Sequence, residues 1–353
     1  MTILTLKSKL NLLINETPKI GFFCPTLGVH FNNADCFNVF VPNVGPAQAI
    51  YYDVAALNYS IKYAKDHRIE KPIFYILACR IGPFMDGIVK KAHAIGGEVF
   101  VNPDGHEWMR AKWSLPVRRY WKLSESLMVK NADLLICDSK NIEKYIHSVY
   151  GEYSPRTTFI AYGSDVKKSE LSDSAPQLID WFDKFNVKPE NYYLIVRRFV
   201  PENNYETMIR EFMQSSTAKN LVIITNVEHN KFFDNLKEKT HFDQDKRVKF
   251  VGTVYDLELL RKIRESAYAY LHGHSVGGTN PSLLEALAST KLNLLFDVGF
   301  NRELAQDSAL YWSREKNSLA NIINKVDHFN DTDINKLEKK STMQITEQGT
   351  VLI

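Results

Sequence analysis

Residues 272–287 read HGHSVGGTNPSLLEAL and concentrate the residue types that hold an anion. The apolar run YAYLHG (268–273) leads through His272 and His274 to a glycine pair, Gly277 and Gly278, and then to Thr279, Asn280 and Pro281. Proline in the first helical turn gives up no N–H that the helix needs, and Thr279 or Asn280 can cap. The free N–H groups and the dipole of a helix over 281–288, with Ser282 in its first turn, therefore point at negative charge, and the glycines let the backbone approach it. A nucleotide diphosphate is the expected ligand. Glu285, one turn further in, is placed to accept hydrogen bonds from ribose hydroxyls. Strand–Gly–Gly–helix turns also occur with no ligand, so the segment needs support from the rest of the chain.

That support comes from two more strand ends. YYLIVRRFVPENNYETMIREF places Arg197 and Arg198 directly before the loop PENN, where a guanidinium can pair bidentately with a diphosphate and stabilise charge on a leaving group. Glu202 in that loop is a candidate sugar-binding or catalytic carboxylate. VFVNPDGHEWMRAKW ends another strand in a turn carrying Asp104, His106 and Glu107, groups able to take or orient a hydroxyl proton. Asp104 fits Pro-Asp-Gly equally well as a plain turn residue. No Asp-x-Asp triplet stands out, so no metal is expected. WMRAKWSLPVRRYWK (108–122) interleaves Arg110, Lys112, Arg118, Arg119 and Lys122 with Trp108, Trp113, Tyr120 and Trp121 and contains no acid. Such a stripe suits contact with an anionic membrane surface, and single-stranded nucleic acid less well; its bland reading is a helix with rings in the core and charges in water.

The elements that must position these residues alternate between short β-branched or aromatic runs and longer amphipathic stretches. PIFYILAC (72–79), GEVFVN (97–102), DLLICDS (133–139) and TTFIAYG (157–163) form one series; YYLIVRRF (192–199), LVIITN (221–226), VKFVGTV (248–254), YAYLHG (268–273) and LNLLFDV (292–298) form a second. Continuous apolar strands between helices predict parallel sheets covered on both faces, hence an α/β protein of two doubly wound, Rossmann-like domains facing a central cleft. The boundaries expected are 1–165, a linker at 166–190, a second domain over 191–320, and an atypical tail at 321–353. Asp256 reads as the N-cap of a helix after the 248–254 strand.

Composition removes several classes. Of the 353 residues, 44% are hydrophobic and 24% charged, ordinary for a globular protein with full cores, and no apolar run reaches the roughly 20 residues of a membrane span. A net charge of +3 does not by itself imply nucleic-acid binding. The N-terminal stretch MTILTLKSKLNLLINETPK has lysines within its apolar part and no small-residue cleavage site, so a signal peptide is not expected and the chain is expected in the cytoplasm. The four cysteines are too dispersed for a zinc site or a disulfide framework. The missing signal peptide also counts against a periplasmic-type binding protein, the other occupant of such an architecture.

In these segments the sequence resembles the retaining glycosyltransferases of the large GT4 family, which have the GT-B fold. Their donor site carries a Glu, seven residues and a second Glu; Glu285 matches the second, while Gly277 stands at the first, with His274 the nearest polar substitute. That departure, with GPAQAIYYDVAAL (45–57), YILACRIGPF (75–84), NPDGHEWMRAKW (102–113), CDSKNIEKYI (137–146), IAYGSD (160–165), RFVPENNYETMIREF (198–212) and FVGTVYD (250–256), is similar to a bacterial polysaccharide β-1,4-rhamnosyltransferase subgroup of DUF1972 type across residues 35–312. The family pattern Gly-Arg with a Lys five residues on is matched by Arg198, but Arg197 replaces the glycine and Asn203 the lysine; Arg197 either supplies the missing charge or obstructs the site. Val254 falls in the loop whose backbone recognises the base. The resemblance implies a metal-independent, retaining transfer of L-rhamnose from dTDP-L-rhamnose to glucose or N-acetylglucosamine on a polyprenyl diphosphate at the inner face of the plasma membrane. It implies front-face reaction with no named nucleophile. TLKSKLNLLINETPKIGFF (5–23) reads as a helix then a strand, where the fold normally begins with a strand and a glycine-rich loop.

Overall fold

The computed structural model describes residues 21–24, 35–42, 47–103, 105–110, 113–161, 167–227, 231–276, 278 and 280–350. Asp104, Lys112, Gly277, Thr279 and the N-terminal helix expected before residue 21 lie outside the described residues. The chain divides into two compact units, the first Met1–Tyr162 together with Val276–Gly278, the second Gly163–Ser275 together with Thr279–Val351.

In the first unit, β1 (Gly21–Cys24) and β2 (Asp35–Asn38) pair in parallel, and β3 (Ile73–Leu77), β4 (Glu98–Asn102), β5 (Leu134–Cys137) and β6 (Thr157–Phe159) form a parallel sheet in that order. Side chains alternate across it. Val99, Val101, Leu135 and Cys137 meet Leu57 and Ile61 of α1 (Gln48–Asp66), Met85 and Ile88 of α2 (Gly82–His93), Met128 of α3 (Leu115–Asn131) and Ile142 and Ile146 of α4 (Lys140–Tyr150). Phe100, Ile136 and Ile160 form a smaller cluster on the opposite face. β2 was not expected from the sequence; with four residues it is too short to show a period.

The second unit carries six parallel strands in the order β12-β11-β10-β7-β8-β9: β7 (Tyr192–Val196), β8 (Asn220–Ile224), β9 (Val248–Gly252), β10 (Ala269–His272), β11 (Asn293–Phe296) and β12 (Leu310–Trp312). It is doubly wound. Tyr193 and Ile195 of β7 face a core built with α6 (Tyr205–Gln214) and α11 (Ser318–Val326), whereas Tyr192 and Leu194 face one built with α5 (Pro176–Phe185), α8 (Leu257–Glu265) and α9 (Pro281–Ser289). α7 (Lys231–Thr240) and α10 (Gly299–Ala305) complete the connections.

Two stretches set apart in the sequence prove to be structural. The 166–190 linker holds α5, whose Leu178, Trp181 and Phe182 are buried in the second unit. In the 321–353 tail, Ile323 and Val326 join its core, and α12 (Asp331–Thr350) docks by the Ser341 hydroxyl donating to the Leu287 carbonyl at 2.7 Å. In both, apolar residues at helical spacing form the stripe that docks on the unit.

At Gly82 the backbone of α3 passes so close to α2 that an added Cβ would lie 2.4 Å from the Ser124 carbonyl oxygen. Its N–H also donates to the Ser124 hydroxyl at 2.8 Å. Gly82→Ala must therefore spread two helices of the first core, and urea unfolding is expected to show a loss of about 1–3 kcal/mol; an unchanged midpoint would refute the close approach.

Candidate functional site

The order of strands in the second unit locates a site before any side chain is considered. From β7 the chain proceeds to β8 and β9 on one side, then returns to place β10, β11 and β12 on the other. The connections diverge at the carboxyl ends of β7 and β10, and open α/β sheets bind ligands in the crevice that such a reversal leaves. Arg197 directly follows β7; His272, Gly273 and His274 end β10; α9 begins at Pro281.

These residues form one polar network. The Asn203 side-chain oxygen accepts from Arg197 Nε at 3.3 Å, from Arg197 Nη2 at 3.0 Å and from His274 Nδ1 at 3.1 Å, while its Nδ2 donates to the Arg198 carbonyl at 2.7 Å. Because that oxygen can only accept, His274 carries a proton on Nδ1. Gly273 is required here: a Cβ would come within 2.2 Å of the Asn203 carbonyl oxygen. Asn204 clamps the same corner, donating to the Gly273 carbonyl at 2.6 Å and accepting from Arg314.

Arg197 is largely buried, and burial pulls its pKa below the ordinary guanidinium value. Among the described residues no ion pair joins Arg197 to a carboxylate; Tyr270 and Tyr205 raise its pKa in part, and the nearby charge of Arg198 lowers it. A part-buried cation without a carboxylate carries a desolvation cost. His272 is fully buried and neither ring nitrogen has a partner among the described residues. Burial first, then the charges of Arg197 and His274, hold its pKa well below the usual histidine value. It is a neutral imidazole.

The helix start is built as the sequence indicates. Asn280 is the N-cap of α9, its Oδ1 accepting from Ser282 N–H at 3.0 Å. The Ser282 hydroxyl donates to the Val196 carbonyl at 3.0 Å and meets the Tyr270 hydroxyl, so it fastens α9 to β7. Gly278 is buried in the turn before it. Glu285 is half exposed and pairs with the buried Arg264 of α8, Nη2 to Oε2 at 2.7 Å. Glu202 is buried; its carbonyl takes the Ser275 N–H and hydroxyl, and its carboxylate Oε1 has no partner among the described residues. Val254 packs against the second core beside Tyr255, which is 85% exposed, and Asp256 caps α8 through the N–H groups of Glu258 and Leu259. Arg198 is exposed.

In the first unit the expected catalytic groups separate. His106 adopts a left-handed backbone and its ring lies 4.1 Å from that of Tyr145; burial, more than the opposing charges of Glu125 and Lys122, lowers its pKa. Glu107 is committed elsewhere: it pairs with Arg110 and accepts from Trp113 Nε1 at 3.0 Å, which argues against its use as a base. The basic stripe is likewise partly internal. Arg118 Nε donates to the Trp113 carbonyl, and Lys122 lies over the Trp108 ring, 2.7 Å from the Tyr145 hydroxyl, beside the buried Glu125. Arg119 remains exposed on α3 between Leu115 (70% exposed) and Leu123 (54%). Sequence reading missed Arg264, Glu125 and His272 as organising groups. Arg264 left one trace: it follows Leu260 by four residues, a charge on the apolar stripe of α8.

Comparisons with known proteins agree with this architecture. Residues 26–165 match a family described as a domain of unknown function, DUF1972. No curated protein matches the sequence. Among solved structures, sucrose-phosphate synthase from Thermosynechococcus elongatus superposes with a TM-score of 0.74 at 14% identity, over 93% of this chain and 84% of that one. A glycosyltransferase from Rickettsia africae gives 0.71 at 12% identity, over 98% and 89%. HepE from Anabaena in complex with UDP-glucose gives 0.64 at 15%, over 90% and 82%. At such identities the likeness defines the fold: an α/β protein of GT-B type with two Rossmann-like domains.

The neutral state of His272 sets a pH dependence. The unfolded residue titrates near 6.5 and the folded one well below it, so only the unfolded chain takes up this proton in between. Its contribution to stability is intact above pH 6.5 and is lost as pH falls below that value, by up to about 1.4 kcal/mol per pH unit. Urea unfolding at pH 7.5 and about pH 5.5 is expected to show a shallower acid loss for His272→Asn than for the parent; equal losses would contradict the buried neutral imidazole.

Proposed function

We propose that the protein is a glycosyltransferase that takes its sugar from a nucleoside diphosphate held at the ends of β7 and β10. The observation that carries this is the buried Arg197 guanidinium without a carboxylate partner, beside the start of α9. A dianionic diphosphate supplies the missing countercharge and meets the α9 N–H groups. The superposed HepE and trehalose-6-phosphate structures contain UDP, UDP-glucose or UDP-2-fluoro glucose, which supports a nucleotide sugar as ligand here.

The finer reading follows the sequence resemblance. The donor is dTDP-L-rhamnose and the acceptor a glucose or N-acetylglucosamine on a polyprenyl diphosphate, in capsule or cell-wall polysaccharide synthesis, with retention at the anomeric carbon. Arg197 and Arg198 neutralise the departing diphosphate, Glu285 takes a pentose hydroxyl, and Glu202 and His274 face the sugar. His106, kept neutral, is suited to accept the acceptor's hydroxyl proton, with Asp104 as the neighbouring candidate. No helix of the described residues is long and apolar enough to cross a membrane; access to a lipid acceptor is then peripheral, at the cytoplasmic leaflet, through Leu115, Arg119 and Leu123 of α3. No metal is part of this reading, in which the charge work falls on the arginines. Two alternatives remain in view: transfer of another hexose from a UDP-sugar, and a nucleotide-sugar-binding protein of weak catalysis. The second is favoured by one observation, the commitment of Glu107 to Arg110 and Trp113.

The deciding experiment incubates the protein with labelled nucleotide sugars and a short-chain lipid diphosphate acceptor, with and without EDTA. Product from dTDP-rhamnose alone, undiminished by EDTA, is the expected result; product from a UDP-hexose alone replaces the donor. Tight donor binding with no product in any mixture would sink both transferase readings. In the same protein, Arg197→Met is expected to weaken donor binding by tenfold or more, about 1.4 kcal/mol, while leaving thermal stability unchanged or raised, because it removes an uncompensated buried charge. Unchanged affinity would overturn the assignment of the diphosphate to Arg197.

A further inference from the structure

The carboxyl end of β3 carries an arginine that the transfer described above does not use. Leu77 closes the strand, and the buried Ala78 follows with a positive φ of 87°, its N–H donating to the Asn102 carbonyl of β4 at 3.0 Å. An alanine in that region is strained, and such strain persists where the surrounding structure holds a turn in a required direction. The side chain so directed is Arg80. Its Nε lies 3.0 Å from Asp53 Oδ2 of α1, its Nη2 donates to the Leu77 carbonyl at 3.1 Å, and its own carbonyl accepts from the Tyr120 hydroxyl of α3 at 2.8 Å. Three elements, α1, β3 and α3, thus fix one cation. Burial, against the pull of Arg80, pushes the Asp53 carboxyl up to about 6, so the pair carries a desolvation cost that a purely structural contact would not need.

Arg80 is not enclosed. Its side chain is 27% exposed against 14% for Asp53, and a guanidinium with five donors can serve a carboxylate behind it and an anion in front of it together. Apolar surface adjoins it in the chain: Leu77 is 52% exposed, and Phe84, in the first turn of α2, is 49% exposed. Open α/β sheets bind ligands outside the carboxyl ends of their strands. We infer that Arg80 is the cation of a second anion site, contained within the first unit, which takes an organic diphosphate bearing an apolar chain, the charged group on the guanidinium and the chain over Leu77 and Phe84. Calling this ligand the sugar acceptor rests on the transfer proposed above; the binding itself does not.

Titration calorimetry of the full chain, with UDP at saturation so that the donor site is filled, compares geranyl diphosphate with inorganic pyrophosphate. The parent is expected to bind geranyl diphosphate at least fivefold more tightly than pyrophosphate; equal affinities, or no binding of either, would overturn the site. Asp53→Asn keeps an oxygen toward Nε and removes the competing charge, so it is expected to bind both compounds at least as tightly as the parent. Adding Arg80→Gln to it leaves no buried carboxylate unpaired and should cost tenfold or more with both. Equal binding by the single and the double variant would refute the role of Arg80. Leu77→Ser and Phe84→Ser should each weaken geranyl diphosphate and leave pyrophosphate unchanged, a difference that a general loss of structure does not produce; unchanged geranyl diphosphate affinity in both variants counts against the apolar half. Arg80-dependent binding to phosphatidylglycerol vesicles without binding of geranyl diphosphate would replace the ligand by a membrane surface and overturn the proposal. UDP that fails to bind overturns the donor site instead, and the Arg80 comparison is then read in its absence.

Discussion

A guanidinium buried without a carboxylate is the interaction around which the second unit is arranged. Arg197 follows β7 at the place where the strand order reverses, and its guanidinium donates to the neutral side-chain oxygen of Asn203. Such a charge is tolerated when the surrounding groups are committed to holding it. Here they are: Asn203 spends its amide on the Arg198 carbonyl, His274 must present a proton to the same oxygen, and Gly273 has to lack a side chain for the 201–203 turn to approach. The fully buried neutral His272 fits the same logic, since a second cation beside Arg197 would raise the cost of the first.

The sheet makes that arrangement possible. The inner strands β7, β8, β10 and β11 are buried on both faces, so their backbone and side chains are fixed by packing from two helical layers. Ser282 and Tyr270 bond to the Val196 carbonyl at the end of β7, tying the start of α9 to the strand that delivers Arg197. The helix terminus and the cation are thus set by one backbone position, and a shift in either would be felt by the other.

Much of this was legible in the sequence, and for identifiable reasons. The strands showed as unbroken apolar runs, and the Asn280 and Asp256 caps follow from side chains that only a helix start satisfies. Runs of charge misled. The stretch 108–122 carries no acid of its own, so its cations looked free, but Arg110 finds Glu107 one residue outside it and Lys122 finds Glu125 and Tyr145 from further along. Both ion pairs span three residues, but the acids lie just outside the stretch on either side, and Tyr145 comes from a different helix. In α12 the charged residues outnumber the few apolar ones that dock it, which hides its amphipathic face.

The most instructive case is the pair of departures at positions 197 and 203. Taken singly from the sequence, each is a loss: a glycine's space is filled and a lysine's charge is gone. In the structure they are one exchange, because the Arg197 guanidinium reaches to within 3.0 Å of the Asn203 side chain. A lysine at 203 would compete with that arginine for the same pocket, and a glycine at 197 would leave Asn203 with no cation to bind. The cation at this corner is a planar group whose direction its partner sets.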